Sequence, residues 1–285
     1  MDASIDGLLL QARTRLADAS ESPALDAELL LAHVLGLPRA ALRAGGEREV
    51  GPGDAGRFAT LVDRRAAGEP VAYLTGRRGF WTLDLAVNPA VLVPRPETEL
   101  LVEAALERLR PLRAPDVLDL GTGSGAVAIA LAHELQGARV VAVDTSPAAL
   151  EVAAANAAEA GVAHVTFVQG HWYQPVAGRR FDCIVANPPY LAAADPHLPG
   201  LAHEPRGALV AGPTGLEALE EIVGGAGEHL REGGWLLVGH GAGQGAAVRR
   251  SCTAAGLGSV ETLTDLAGLE RVTLARRPAG TRPGR

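Results

Sequence analysis

At 285 residues and 47% apolar content, the chain can bury a full α/β core and a smaller second domain. Its apolar runs are far shorter than a bilayer span, so a soluble protein with no membrane partner is expected. A formal charge of −7, with every basic residue an Arg, speaks against affinity gained by tracking a phosphate backbone, because each neutralised phosphate needs its own cation. Cys183 and Cys252 are the only cysteines and have no CxxC spacing. A disulfide framework and a zinc site are therefore not expected, no metal is assigned, and a cytoplasmic setting fits. The acidic start Met1-Asp2-Ala3-Ser4-Ile5-Asp6 has no basic region ahead of an apolar stretch, so no secretory signal is read there.

In chain order, the first segment reads as helical, with Leu8, Leu9, Leu10, Ala12, Leu16 and Ala17 forming one face. Ser22-Pro23 opens a second helix that runs to Gly36, with Pro in the first turn and Gly at the end, and a third covers residues 53–67. Between Arg77 and Val93 the period changes to alternation through Phe80, Leu83, Leu85 and Val87, which predicts a hairpin and places the domain linker there. Pro94-Arg95-Pro96-Glu97-Thr98-Glu99 then reads as a helix start, with Pro96 at the first position and Glu97 and Glu99 near the positive end of the dipole. Strands follow near 116–120, 139–144, 164–168, 181–186 and 234–239, alternating with helices. A closing pair near 258–263 and 270–276 is joined by a short loop, as in an antiparallel hairpin. The expected division is a helical domain over 1–76, the hairpin over 77–93, an α/β domain over 94–276 and a disordered tail over 277–285.

Two motifs carry chemistry. Val117-Leu118-Asp119-Leu120 enters the turn Gly121-Thr122-Gly123-Ser124-Gly125, and a helical stretch starts at Ala126. Glycines let the chain turn sharply and let a ligand approach the helix N-terminus without Cβ atoms in the way. About 20 residues on, the run Arg139–Val143 ends in Asp144, whose carboxylate can accept from both hydroxyls of a ribose. The pair is ambiguous alone. Gly121, Gly123 and Ala126 also satisfy the dinucleotide pattern, a ligand-free glycine turn stays open, and Asp144 could be an exposed strand-end carboxylate.

The second motif is Asn187-Pro188-Pro189-Tyr190, after the apolar run Phe181–Ala186. A planar NH2 group is a poor nucleophile because its lone pair is delocalised, so its methylation depends on aim and desolvation. Asn187 can offer its side-chain oxygen and Pro188 its carbonyl as acceptors for that NH2, while Tyr190 supplies a flat face. Pro188 and Pro189 fix φ at consecutive positions and bring no competing backbone donor. A Pro-Pro turn closing a strand is the plainer alternative.

Both motifs follow strands of one α/β domain, about 65 residues apart, which puts them beyond the same sheet edge. This arrangement resembles the class I S-adenosylmethionine-dependent methyltransferases. Within them, Pro70–Gly76, Phe80-Trp81, Pro94–Glu99, Pro196-His197-Leu198, Glu204-Pro205 and Glu270–Leu274 resemble the HemK/PrmC family, the glutamine-N5 methyltransferases that modify peptide-chain release factors. The resemblance covers residues 70–275. It implies a Rossmann-like, seven-stranded mixed sheet with one reversed strand, plus a small helical N-terminal domain that grips the protein substrate. It also implies S-adenosylmethionine held by Gly121–Gly125, Asp144, Trp172 and Asn187, with Trp172 flanking the adenine; a core aromatic is nearly as good a reading of Trp172. Arg95 and Glu97 would lie near the site. The implied acceptor is the Gly-Gly-Gln glutamine of class 1 release factors, held by Asn187, Pro188, Pro189 and Tyr190, with no nucleic acid involved.

Three positions depart from the family pattern: His171 where Asp is frequent, His203 where an aromatic is usual, and Gly239 where many relatives carry Glu. Two other readings remain. A nucleic-acid methyltransferase would present the same planar NH2 on an extruded base, against the acidic net charge. A nicotinamide-dependent oxidoreductase or non-catalytic nucleotide-binding module would use the glycine loop and Asp144 but leave Asn187–Tyr190 unexplained.

Overall fold

The computed structural model describes residues 3–279, and the chain divides into two compact units, Met1–Arg77 and Arg78–Arg285. The first is helical: α1 (Ile5–Arg15), α2 (Pro23–Leu35), α3 (Arg39–Ala44), α4 (Pro52–Ala66) and α5 (Val71–Thr75). Ser4 caps α1 by accepting from the Gly7 N–H at 3.1 Å, and α2 runs from Pro23 to a left-handed Gly36 at φ 62°. Ile5, Leu16, Leu30, Leu31, Leu42, Phe58, Val62 and Leu74 form its core. The face expected for α1 is corrected in part: Leu8 and Leu9 pack against that core, but Leu10 and Ala17 point to solvent and Ile5 takes the buried place. The short helices α3 and α5 were not expected; each is under two turns, too brief for a hydrophobic period to declare itself.

The second unit opens with the hairpin β1 (Arg77–Phe80) and β2 (Leu83–Ala86), whose Phe80 and Leu85 are buried in that unit's core. Then come α6 (Glu99–Leu109), β3 (Asp116–Leu120), α7 (Ala126–Glu134), β4 (Arg139–Asp144), α8 (Pro147–Glu159), β5 (Val165–Gln169) and β6 (Phe181–Ala186). Two short strands, β7 (Leu191–Ala192) and β8 (Val210–Gly212), pair on their own. The chain closes with α9 (Glu217–His229), β9 (Leu230–Gly239), α10 (Gly245–Ala254), β10 (Gly258–Thr264) and β11 (Glu270–Arg276). The seven-stranded sheet has the order β10-β11-β9-β6-β3-β4-β5, and β11 alone runs against its neighbours. Thr262, Thr273 and Val238 stand side by side across it, as do Val185, Asp119 and Ala142.

Alternation sorts the central strands into two cores. Val117, Val140, Ala142, Cys183 and Val185 face α6 and α7, while Leu118, Val141, Ile184 and Leu236 face α9 and α10. The chain proceeds outward from β3 through β4 to β5, then returns to lay β6 on the other side of β3. This reversal leaves a crevice beyond the carboxyl ends of β3 and β6, the place where open α/β sheets bind ligands. Asn156, buried on α8, ties this region together: its side chain accepts from the Ala86 N–H at 2.7 Å and donates to the carbonyls of Ala86 and Ser124. Arg277 continues the ladder beyond β11 by pairing with Gly233 and Gly234, and residues 280–285 of the expected tail lie outside the described residues, as do Met1 and Asp2.

Candidate active site

A cavity of about 420 Å³ opens at that crevice. Its lining includes Asp119, Gly121, Thr122, Gly123, Ser124, Asp144, Trp172, Asn187 and Pro189. Of the expected site residues, Gly125, Pro188 and Tyr190 are not in this lining. Gly125 caps α7 at φ 82°, its N–H donating to the Thr122 carbonyl at 2.9 Å. Pro188 is buried behind the surface. Tyr190 belongs to a second, much smaller cavity with Glu97, Thr98, Leu101, Asn187, Gly239, His240 and Arg271. Asn187 and Thr98 line both.

The glycine loop is shaped for close approach. Gly121 stands at φ 75°, and a Cβ there would come within 3.3 Å of the Trp172 ring, so any side chain would be strained in backbone and tight against the aromatic neighbour. Trp172 itself adopts φ 42°. A bulky residue in the left-handed region costs about 1–3 kcal/mol and persists where the surroundings impose it, often at ligand sites. Asp144 accepts from the N–H groups of Gly123 and Ser146, each at 2.9 Å, so its two oxygens are oriented by backbone and retain lone pairs for a ligand. His171 turns toward α9, where its Nδ1 lies 3.3 Å from Glu221 Oε1.

Asp119 is the functional candidate that pattern reading passed over. It sits in the buried strand β3 with 2% exposure, yet reaches the cavity. Burial pushes its carboxyl up to about 7; the Thr122 hydroxyl, donating at 2.7 Å, opposes that rise and the nearby Asp144 charge adds to it. An acid inside the otherwise apolar run Val117–Leu120 was the available signal.

Among the side chains of the smaller cavity, His240 is committed elsewhere. Its Nδ1 faces the Gly241 carbonyl at 2.9 Å and its Nε2 faces Thr273 Oγ1 at 2.8 Å; Thr273 contacts Thr262, which accepts from Arg249 at 2.7 Å. A guanidinium only donates and a carbonyl only accepts, so the chain has one direction: Nδ1 carries the proton and Nε2 accepts. Burial lowers the His240 pKa, consistent with a neutral ring. Both nitrogens are thus engaged, and His240 has none left to serve as a base. Burial likewise raises the Tyr190 phenol, with Glu97 adding to the rise.

The reversed seventh strand, the glycine loop beyond β3 and the two acids facing a cavity define an S-adenosylmethionine-dependent methyltransferase. The matches to known proteins narrow this. A PrmC N-terminal domain model matches residues 7–76, and a methyltransferase small domain model matches residues 96–200. The release factor glutamine methyltransferase of Xylella fastidiosa Temecula1 is 52% identical over 256 residues, 89% of this chain and 93% of that protein. That of Escherichia coli K12 is 45% identical over 260 residues, 90% of this chain and 94% of that protein. The chain belongs to the release factor glutamine methyltransferase family. Among solved structures, a Pyrococcus furiosus methyltransferase matches with TM-score 0.55 at 18% identity over 78% of this chain and all of that one. The Thermus thermophilus 16S rRNA N2 G1207 methyltransferase, solved with AdoMet and guanosine, matches with TM-score 0.54 at 24% identity over 70% of this chain and 49% of that one. Both likenesses concern the fold.

Proposed function

We propose that the larger cavity seats S-adenosylmethionine and that Asn187, at its junction with the smaller one, holds the acceptor amide. The activity is that of the family: methyl transfer to the side-chain amide nitrogen, N5, of the Gly-Gly-Gln glutamine in class 1 peptide chain release factors, which supports translation termination. The observation that carries the site reading is that Asn187, just after β6, lines the larger cavity together with the glycine loop and Asp144; the smaller cavity, about 10 Å³, has room for about one water and would have to open for an acceptor amide. A residue there can touch cofactor and acceptor together.

S-adenosylmethionine supplies an electrophilic methyl on a cationic sulfur. Gly121, Thr122, Gly123 and Ser124 would line the floor, with Gly125 turning the chain into α7, Asp144 would accept from the ribose hydroxyls, and Trp172 would pack on the adenine. Asn187 Oδ1 and the Pro188 carbonyl accept from the substrate NH2, with Pro189 and Tyr190 walling its plane. These acceptors strengthen as positive charge develops on nitrogen, so they favour the transition state over the ground state. The proton leaves to water after transfer, because the methylated, positively charged amide is strongly acidic. We further propose that the helical unit helps grip the release factor, that neither nucleic acid nor membrane is a partner, and that the enzyme works in the cytoplasm. Among the described residues no helix is long and apolar enough to cross a membrane.

Asp119 gives the cofactor site a pH dependence. Its carboxyl is largely neutral below about 7 in the free protein, and a cationic ligand beside it favours the carboxylate. Binding therefore releases a proton at low pH, so affinity is full above about pH 7 and declines as pH falls below it. Because the folded-state pKa is raised, the ligand-free protein loses stability as pH rises from the ordinary carboxylate range towards about 7. Calorimetry across this range should show the decline for S-adenosylmethionine, a shallower one for S-adenosylhomocysteine, which lacks the sulfonium charge, and neither in Asp119→Asn. A pH-independent affinity in the native protein would remove Asp119 from the cofactor's reach.

A tritiated methyl donor offered separately to release factor, DNA and RNA tests the acceptor class. Label in the protein alone supports the proposal, and label in either nucleic acid overturns it.

A further inference from the structure

Thr98 precedes α6 at the position where a threonine hydroxyl ordinarily accepts from an N–H of the first turn. It makes no such bond, because its backbone is already helical, at φ −71° and ψ −18°, continuing the short turn Pro96–Thr98. The hydroxyl is turned to a different use. Asn187 Nδ2 donates to Thr98 Oγ1 at 3.3 Å, although the two residues are 89 positions apart. The approach is built from several fixed points. The Thr98 N–H donates to the Arg95 carbonyl at 3.0 Å, and Pro96 fixes φ between them. The Arg95 guanidinium pairs with Glu204, a buried carboxylate that also accepts from the Val93 N–H at 3.0 Å. On the other side of the Asn187 carboxamide, Oδ1 faces Gly239, where a Cβ would stand only 2.6 Å away.

A carboxamide is nearly symmetric in shape but opposite in chemistry at its two ends: its oxygen accepts and its nitrogen donates. A threonine hydroxyl can donate as well as accept, so what it fixes here is where the carboxamide sits, and Asn187 would offer Oδ1 to a substrate NH2. We infer that Thr98 is a positioning residue for methyl transfer: its hydroxyl, hydrogen-bonded to Asn187 Nδ2, holds the carboxamide in the rotamer that turns Oδ1 to the acceptor amide. This rests on the proposed role of Asn187. Thr98 acts through that residue, so its loss should reach turnover more than the binding of either substrate.

The test pairs Thr98→Val, which keeps the shape and removes the acceptor, with Thr98→Ser, which restores it; Thr98→Ala serves if the valine variant does not fold. A single neutral hydrogen bond corresponds to about a 2- to 10-fold effect, so kcat should fall by up to about tenfold in Thr98→Val. The release-factor KM and the S-adenosylmethionine Kd should stay within about twofold, and Thr98→Ser should recover most of kcat. In 15N-labelled protein without substrates, the Asn187 side-chain NH2 resonances should shift in Thr98→Val and return in Thr98→Ser. Asn187→Ala is assayed alongside. If it keeps full turnover, the role of Asn187 fails and Thr98's role with it. If it loses turnover while Thr98→Val keeps full kcat, or while Thr98→Ser is as poor as Thr98→Val, the Thr98 inference alone is overturned.

Discussion

Asn187→Ala is expected to cut turnover by roughly two orders of magnitude or more, the loss seen when a preorganised acceptor for developing charge is removed. The fold should survive. Asn187 is half-buried at the end of β6, and its side-chain nitrogen donates outward to Thr98, so truncation leaves no buried network broken. The S-adenosylmethionine Kd should change far less than kcat, because the oxygen of Asn187 is assigned to the acceptor amide first. Steady-state kinetics with a release factor, together with calorimetry for the cofactor, separate the two effects. An equal loss in both would move Asn187 from the acceptor to the cofactor, and unchanged turnover would remove it from the site.

Asp144→Ala should raise the S-adenosylmethionine Kd by roughly 10- to 150-fold, the equivalent of about 1.5–3 kcal/mol for a charge-assisted acceptor. Two causes act together. On the proposed assignment the ribose hydroxyls would lose their partner, and the N–H groups of Gly123 and Ser146, which now donate to this carboxylate, would lose theirs, so the glycine loop would relax. Asp144→Asn retains one acceptor oxygen and should fall between the native protein and the alanine variant. An unchanged Kd in a folded Asp144→Ala protein would exclude the ribose assignment.

The parallel strands were legible because burial on both faces writes them as apolar runs, continuous in Val140–Val143 and Cys183–Ala186 and broken only by Asp119 in Val117–Leu120. The glycine loop and Asn187–Tyr190 were legible for a different reason: their residue types carry backbone and hydrogen-bonding constraints within a few positions. Features assembled from distant segments were not. The smaller cavity draws on residues 97–101, 187–190, 239–240 and 271–272, which the strand order β11-β9-β6 and the packing of α6 against those strands bring together. The two-residue β7 and three-residue β8 are too short to show alternation, and the pairing of Arg95 with Glu204 joins loops more than 100 positions apart. Two of the residues read in the sequence as departures from the family pattern have defined surroundings. His171 takes Glu221 as its partner, and Gly239 leaves room for the Asn187 oxygen.

The pocket at Asn187 is proposed to take the side-chain amide of one release-factor glutamine. The most direct measurement offers labelled S-adenosylmethionine to a class 1 release factor and to the same protein with its Gly-Gly-Gln glutamine replaced by asparagine or alanine, followed by mapping of the labelled residue. The native acceptor should carry one methyl group on that glutamine's N5, and both altered acceptors should take up little, because the shorter or missing amide cannot reach the acceptors at Asn187 and Pro188. Equal labelling of the altered acceptors, or label mapped to any other residue, would contradict the assignment.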